Sequence, residues 1–426
     1  MSEASATTVP VEKTPRKAWL ILLVTYLASC MAPMLQFKIP PLASWIIPYF
    51  QMDGVLFGYC MSAVTIIGVI LAFPAAFIAR RIGLKATMLV SIACLGAGSA
   101  IGAFTDSLVV MMASRMVEGV GIGLIGVAAP TCVSVWFPLK TRGLALGIWA
   151  TWVPLGMILA FNCAPIMAAS WGFQSVFWIM AAACAVMFAL FALVFTMPKG
   201  ADAEAGISGT LRECVVFLKN KRLWVLGAIF FLFNAVAIGI VSTFYNTFLE
   251  TELGLSPQFA SMMAGIIMIP PILCAPLSGG LSDKLPINRK YVLVSITMVI
   301  LLVDILFMFN TGPQAILFMW IFVILSGVSG GFCAGTCRPL APIVVGGSAV
   351  GATMSMAVLQ FCQNLGTSVA SPLFGYCYEA FGWQAAGWGL CIPATAICFV
   401  LSFFIFPRVK KAHAAKVEEI AERSEA

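Results

Sequence analysis

Ionisable side chains are scarce in this sequence: Asp, Glu, Lys and Arg make up 10% of its 426 residues, and the single histidine, His413, lies close to the C-terminal end. That shortage excludes most active-site chemistries. No imidazole is available inside an apolar segment for a proton relay or a metal, and the apolar segments hold no nucleotide-phosphate loop, metal-ligating cluster or Ser/His/Asp arrangement. The chain is therefore expected not to be an enzyme. Paired CxxC spacing is also lacking. The 14 cysteines fall mostly in apolar runs, where a thiol behaves as a small hydrophobe, so neither disulfides nor metal sites are expected, and no cofactor is implied. No cleavable leader is expected either, because the first apolar run is too long for one and is not followed by a small-residue cleavage site.

What is abundant is apolar surface: 61% of residues are hydrophobic and the mean hydropathy is +1.02. Apolar runs of about 20 residues, each long enough to cross ~30 Å of hydrocarbon as a helix, recur from Ala18 to Phe406. The spacing predicts roughly twelve spans, at 18–38, 54–79, 87–104, 109–136, 143–168, 173–196, 223–249, 258–282, 291–310, 314–338, 351–376 and 384–406. Lys and Arg cluster on one set of loops, with Lys13, Arg16 and Lys17 before the first span, Arg80, Arg81 and Lys85 after the second, and Lys140 and Arg142 after the fourth. The opposite loops carry Asp53, Asp106, Glu250, Glu252 and Glu379. By the positive-inside rule both termini are expected on the cytoplasmic side of a bacterial-type inner membrane. This asymmetry accounts for the net charge of +7 without a nucleic-acid partner, and the bilayer itself is the expected partner.

The one long polar interruption divides the chain into a cytoplasmic N-terminal segment (1–17), a six-helix bundle (18–196), a cytoplasmic linker (197–222), a second six-helix bundle (223–406) and a cytoplasmic tail (407–426). Within the linker, Leu211, Cys214, Val215 and Leu218 share one helical face. That pattern suits either a short helix on the anionic leaflet or a plain solvated linker. Three landmarks recur in order at an offset of about 203–210 residues: ARRIGLK at 79–85 with SDKLPINRK at 282–290, GIGLIGVAAP ending at Pro130 with GGFCAGTCRP ending at Pro339, and WGFQ at 171–174 with FGWQ at 381–384. A repeat of this kind is the trace of a transporter built from two related halves.

The run Gly279-Gly280-Leu281-Ser282-Asp283-Lys284, continuing to Arg289 and Lys290, fits the loop signature G-x-x-x-D-[RK]-x-G-x-[RK]-[RK], and Arg115, Gly119 and Gly121 fit R-x-x-x-G-x-G. On these residues the chain from Trp19 to Phe406 resembles the major facilitator superfamily. The resemblance implies an all-α membrane protein of about twelve transmembrane helices in two pseudo-symmetric six-helix bundles. It further implies a monomeric secondary transporter that moves a small-molecule solute with a coupling ion by alternating access, with Asp283, Lys284, Arg80 and Arg81 in a cytoplasmic gate. The first half departs from the signature, since Arg80 stands where the family usually has Asp. Similar replacements occur in cyanate- and nitrate-type anion permeases, which implies a small organic or inorganic anion as solute.

A charge inside the bilayer costs at least ~2.5–3.5 kcal/mol on insertion scales, so each one needs a reason. Arg115 and Glu118, three apart, are either a permanent ion pair or a substrate-binding arginine beside a proton-carrying acid. Arg338 has no acid within a helical turn and shares a face with Gly327, Gly331 and Ala334. It either grips an anion bidentately or snorkels to headgroups. Gln360, Gln363, Asn364 and Thr367 form a polar stripe at i, i+3, i+4 and i+7 that must face a cavity or a neighbouring helix. Asn234, Ser242 and Tyr245 extend the candidate solute-binding set, and Trp149 and Trp152 follow with less weight because paired aromatics often simply pack. Asp304, in mid-span, is expected as a neutral, hydrogen-bonded acid and is a second candidate for coupling. Lys38 lies roughly 200° around the helix from Gln36, away from the stripe of Thr25, Ser29 and Gln36, and is expected to face outward and snorkel. A membrane channel or sensor is the non-transporter alternative, and the two-half repeat with a few isolated charges argues against it, whereas rings of charge would favour it. The Met262, Met263 and Met268 stretch keeps efflux of apolar or cationic compounds as the alternative to anion movement.

Overall fold

In hydrocarbon every backbone N–H and C=O must be paired within its own segment or in a closed barrel, so apolar runs of this length fold as helices. The structure, a computed structural model, describes residues 15–197, 218–284, 287–345 and 349–405. All regular elements among the described residues are helical. The first half comprises α1 (Arg16–Gln36), a 3-10 turn (Pro40–Leu42), α2 (Ala43–Phe50), α3 (Gly54–Leu71), α4 (Pro74–Ile82), α5 (Leu84–Phe104), α6 (Leu108–Trp136), α7 (Leu139–Ala150), α8 (Trp152–Trp171) and α9 (Phe173–Val194). The second comprises α10 (Lys221–Asn234), a π-helical stretch (Ala235–Val241), α11 (Ser242–Thr251), α12 (Pro257–Ile266), α13 (Ile269–Lys284), α14 (Ile287–Ile305), α15 (Ala315–Val344), α16 (Ala349–Phe381) and α17 (Trp383–Phe404). Ten continuous helical rods among the described residues are long and apolar enough to cross a membrane, and α14 and α16 complete the set expected from the sequence. Most of the linker, including Leu211, Cys214 and Val215, and the tail lie outside the described residues.

Successive rods run up and down, which sorts the loop charges. Lys17, Arg80, Arg81, Lys85, Arg142 and Arg222 gather at one end, the basic end, and Asp53, Asp106, Glu252 and Glu379 at the other, the acidic end. The internal repeat has a backbone counterpart. Gly172, between α8 and α9, has φ +80°, and Gly382, between α16 and α17, has φ +82°. Both turns need a residue without Cβ, which explains why WGFQ and FGWQ match across the halves.

The halves meet along three seams: α3 on α16, α8 on α12, and the 3-10 turn on α11. On the first, Gly58 lies against the backbone of Ser371 and Pro372, Ser62 Oγ donates to the Ser368 carbonyl at 2.7 Å, and the Thr65 and Ser368 hydroxyls are 2.7 Å apart. On the third, Asn246 Nδ2 donates to the Pro40 carbonyl at 3.3 Å. The first seam runs the length of α3, from Gly54 against Gly375 to Gly68 against Asn364, and on to Phe73, whose ring meets Phe361 at 5.7 Å; the second and third lie towards the acidic end, and α7, at the basic end, packs on α1, α6 and α8 of its own half. Helix α2 lies across the acidic end, where the Tyr49 hydroxyl donates to the Asp106 carboxylate and its ring meets Phe173 at 4.9 Å. That carboxylate pushes the Tyr49 phenol pKa up.

Candidate functional site: two groups of charge inside the bundle

The first group is sealed. Arg115 and Glu118 sit one turn apart on α6 and form an ion pair, and Lys38, just past the end of α1, places Nζ 2.7 Å from Glu118 Oε1. Lys38 also donates to Ser99 Oγ at 2.8 Å and lies 3.9 Å above the Phe177 ring, so its three N–H directions all have partners. Arg115 donates from Nη1 to the Leu35 carbonyl at 2.8 Å and from Nη2 to the Gln36 carbonyl at 2.7 Å. Those carbonyls close α1 and have no partner within that helix, so a cation there satisfies them and the negative end of the helix dipole. Lys38, Arg115 and Glu118 are each 0% exposed.

The outward, snorkelling Lys38 expected from helical periodicity is not found. Helix α1 ends at Gln36, and Phe37 leaves helical geometry at φ −101°, ψ 15°, so a rotation of ~100° per residue no longer applies and the chain turns Lys38 inward. Arg115 has no open face for a solute in this conformation, because Glu118 and two carbonyls occupy its fork.

The second group is open. Arg338 lies six residues before the end of α15, ~9 Å along the helix axis from the basic end. Its side chain is deep among protein atoms yet accessible, the combination expected of a cavity wall. Nη2 donates to Gln363 Oε1 of α16 at 3.2 Å, and the guanidinium lies over the Phe230 ring of α10 at 5.7 Å. Among the described residues no carboxylate is in ion-pair range of Arg338. Gln360 is exposed, Gln363 and Asn364 are half-buried, and Gln360 Nε2 donates to Asn364 Oδ1 at 3.4 Å. A Cβ on Gly68 of α3 would fall 2.5 Å from Asn364 Nδ2, so this stripe faces the opposite half. Gly327 and Gly331, by contrast, serve packing: a Cβ on either would collide with Pro270 or Cys274 of α13.

The remaining candidates lie elsewhere. Asn234 is buried and donates to the Phe230 carbonyl of its own helix at 2.7 Å, and Ser242 does likewise to Ala237 at 2.9 Å. Tyr245 is buried against Phe322, with ring centroids 4.6 Å apart. Asn234 and Tyr245 are 4% and 1% exposed, so neither forms part of the accessible surface around Arg338 in this conformation. Trp149 and Trp152 stack at 5.4 Å, with Trp149 Nε1 donating to Ser29 Oγ at 3.0 Å. Asp304 is buried with Ser326 as its hydrogen-bonding neighbour, and its Oδ1 has no partner among the described residues. Arg80 and Arg81 are exposed at the end of α4. Asp283 and Lys284 end α13, and their side chains lie outside the described residues.

The sequence profile described as "Major Facilitator Superfamily" matches residues 25–356 and 238–425. The chain belongs to the major facilitator superfamily. As a member it is a multi-pass membrane protein. Relatives within the superfamily include "Multidrug resistance protein MdtG" of Dickeya zeae, 26% identical over 204 residues, or 46% of this chain and 49% of that protein. Another is the "Cis,cis-muconate transport protein" of Acinetobacter baylyi, 24% identical over 287 residues, or 64% of this chain and 66% of that one. The chain thus spans about half to two thirds of the length of these relatives. Among solved structures, a bacterial homolog of the human lysosomal transporter Spinster, in an inward-facing and unoccupied conformation, superposes with a TM-score of 0.73 at 16% identity, covering 92% of this chain and 98% of that one. A likeness at that identity establishes the major facilitator fold.

Proposed function

We propose that this superfamily member is a secondary active transporter that carries a small organic or inorganic anion through the Arg338 cavity by alternating access, coupled to an ion, as a monomer in a bacterial inner membrane with both termini cytoplasmic. The observation that carries the reading is Arg338 itself, accessible inside the bundle and without a protein carboxylate among the described residues. A guanidinium has five N–H donors, of which one is taken here by Gln363. A carboxylate, or a planar anion of the nitrate or cyanate kind, would fill the rest of the fork and offset the charge. Gln360, Gln363 and Asn364 add neutral hydrogen-bonding groups beside it, and Glu118 and Asp304 are the buried acids available for coupling. The second and third seams close the acidic end, so the cavity would be reached from the basic end, the cytoplasmic side by the positive-inside rule, where Arg80, Arg81, Asp283 and Lys284 would gate it. The muconate carrier among the relatives supports a carboxylate, and the multidrug relative keeps export of apolar or cationic compounds as the second reading.

Uptake into proteoliposomes of a panel comprising cis,cis-muconate, benzoate, cyanate and nitrate tests this. Arg338→Ala is expected to abolish uptake of the accepted anion with membrane insertion intact, and Arg338→Lys, which keeps the charge without the planar fork, to weaken apparent affinity about tenfold or more, equivalent to ~1.4 kcal/mol. Wild-type rate and affinity in Arg338→Ala would make Arg338 a snorkelling anchor and favour the export reading.

A further inference from the structure

The sealed cluster holds two cations and one carboxylate, all within the protein and all 0% exposed. With Lys38 protonated the site carries one uncompensated positive charge. With Lys38 neutral, the Arg115–Glu118 pair balances by itself. Arg115 stays tied to two carbonyls in either state, so Lys38 is the member whose charge is dispensable. In the conformation described here all three of its N–H directions are used, by Glu118, Ser99 and the Phe177 face. The Ser99 hydroxyl donates to the Phe177 carbonyl at 2.8 Å, so it accepts from Lys38. Closure of the acidic end therefore goes with the ammonium form.

The cluster also sits beside a seam between the halves. Arg115 grips Leu35 and Gln36, Lys38 follows two residues later, and two residues after that the Pro40 carbonyl accepts from Asn246 of α11 in the other half. Asn246 is itself fixed, as Ser261 Oγ donates to its Oδ1 at 2.9 Å. The segment from Leu35 to Pro40 is thus held on one side by buried charge and on the other by the opposite half. Loss of the Lys38–Glu118 bond frees the stretch that carries the inter-half contact.

We infer that the Lys38–Glu118–Arg115 cluster binds the coupling proton of this transporter, with the Lys38 amine as acceptor, and that proton occupancy holds the acidic end shut. The inference rests on the transport reading above and names its coupling ion. In the step, the Lys38 ammonium gives its proton to water entering as the acidic end opens and becomes a neutral amine, and the Arg115–Glu118 pair remains. The groups facing Lys38 are Glu118 and Arg115 from α6, Ser99 from α5, and Phe177 and Cys184 from α9, with Cys60 of α3 also within electrostatic range. Glu118 is the acid among them.

Spin labels on cysteines placed at Asp106 and Glu252, in an otherwise cysteine-free full chain in nanodiscs, report opening of the acidic end without any substrate. In the wild-type background the inter-label distance is expected to be short at low pH and to lengthen with a one-proton dependence as pH rises. Lys38→Met should give the long distance at every pH. Lys38→Arg, which cannot deprotonate in this range, should give the short one at every pH. Asp304→Asn and Arg338→Ala should titrate like wild type, so loss of anion uptake in Arg338→Ala and loss of the pH response in the Lys38 variants are independent results. A wild-type distance that does not change with pH, or Lys38 variants that titrate like wild type, would overturn the assignment. So would an Asp304→Asn variant that loses the response. Lys38→Arg retains the ion pair, so it decides the question even if Lys38→Met is not recovered folded.

Discussion

Substitution of Glu118 is the sharpest test of how the sealed cluster is balanced. Glu118→Gln removes the carboxylate on which both Lys38 and Arg115 converge, and leaves two cations within the protein at 0% exposure. Removing one partner of a buried ion pair costs about 3–5 kcal/mol because a charge is left uncompensated, and here two are left. Lys38→Met removes the surplus cation, keeps the neutral Arg115–Glu118 pair and fills the space with an apolar chain. The loss is then about 1 kcal/mol, the net value of a hydrogen bond. The expected gap between the variants is thus ~2–4 kcal/mol, with Glu118→Gln the weaker protein. The double variant sharpens the sign: once Glu118 is gone, removing Lys38 relieves a repulsion, so the double variant should be more stable than Glu118→Gln alone. Denaturant unfolding of the three purified proteins in one mild detergent, followed by tryptophan fluorescence, gives the order. If Glu118→Gln were as stable as Lys38→Met, or the double variant less stable than Glu118→Gln, the cluster would not be held by the charge balance described here.

Two further outcomes test the frame around the cluster. Gly375 of α16 lies so close to α3 that a Cβ there would fall 2.1 Å from the Gly54 carbonyl, so Gly375→Ala should force the acidic-end seam apart and speed labelling of a cysteine placed at buried Ser62; unchanged reactivity would show that the seam does not limit opening. In intact cells, single cysteines at Asp106 or Glu252 should react with a membrane-impermeant thiol reagent, and one at Arg81 only after lysis; labelling of all three from the same side would refute the orientation drawn from loop charge.

The parts of this protein legible in its sequence are those set by local rules. Apolar run length fixes where helices cross, the WGFQ and FGWQ pair marks two turns whose glycines have positive φ, and the three-residue spacing of Arg115 and Glu118 places them on one helical face. What periodicity does not carry is a change of geometry. Lys38 was misplaced because a helical rotation was extended past Gln36, where α1 stops. Polarity alone does not tell a cavity wall from a side chain satisfied inside the bundle: Asn234 bonds the Phe230 carbonyl of its own helix and Tyr245 packs on Phe322, both buried. Phe230 and Asn246, which back Arg338 and hold Pro40, have no helical-spacing signal at all, since their partners come from other helices. One signal was available for Lys38. A carboxylate accepts from more than one donor, so an acid already paired with an arginine on its own helix can still take a second cation, and a count of buried acceptors over the bundle rather than along each helix would put Lys38 beside Glu118. The same count separates the two groups functionally. The sealed cluster contains its own carboxylate, so it can gain or lose a proton without a solute, whereas Arg338 has no such partner among the described residues, and its charge is the one left for a transported anion to offset.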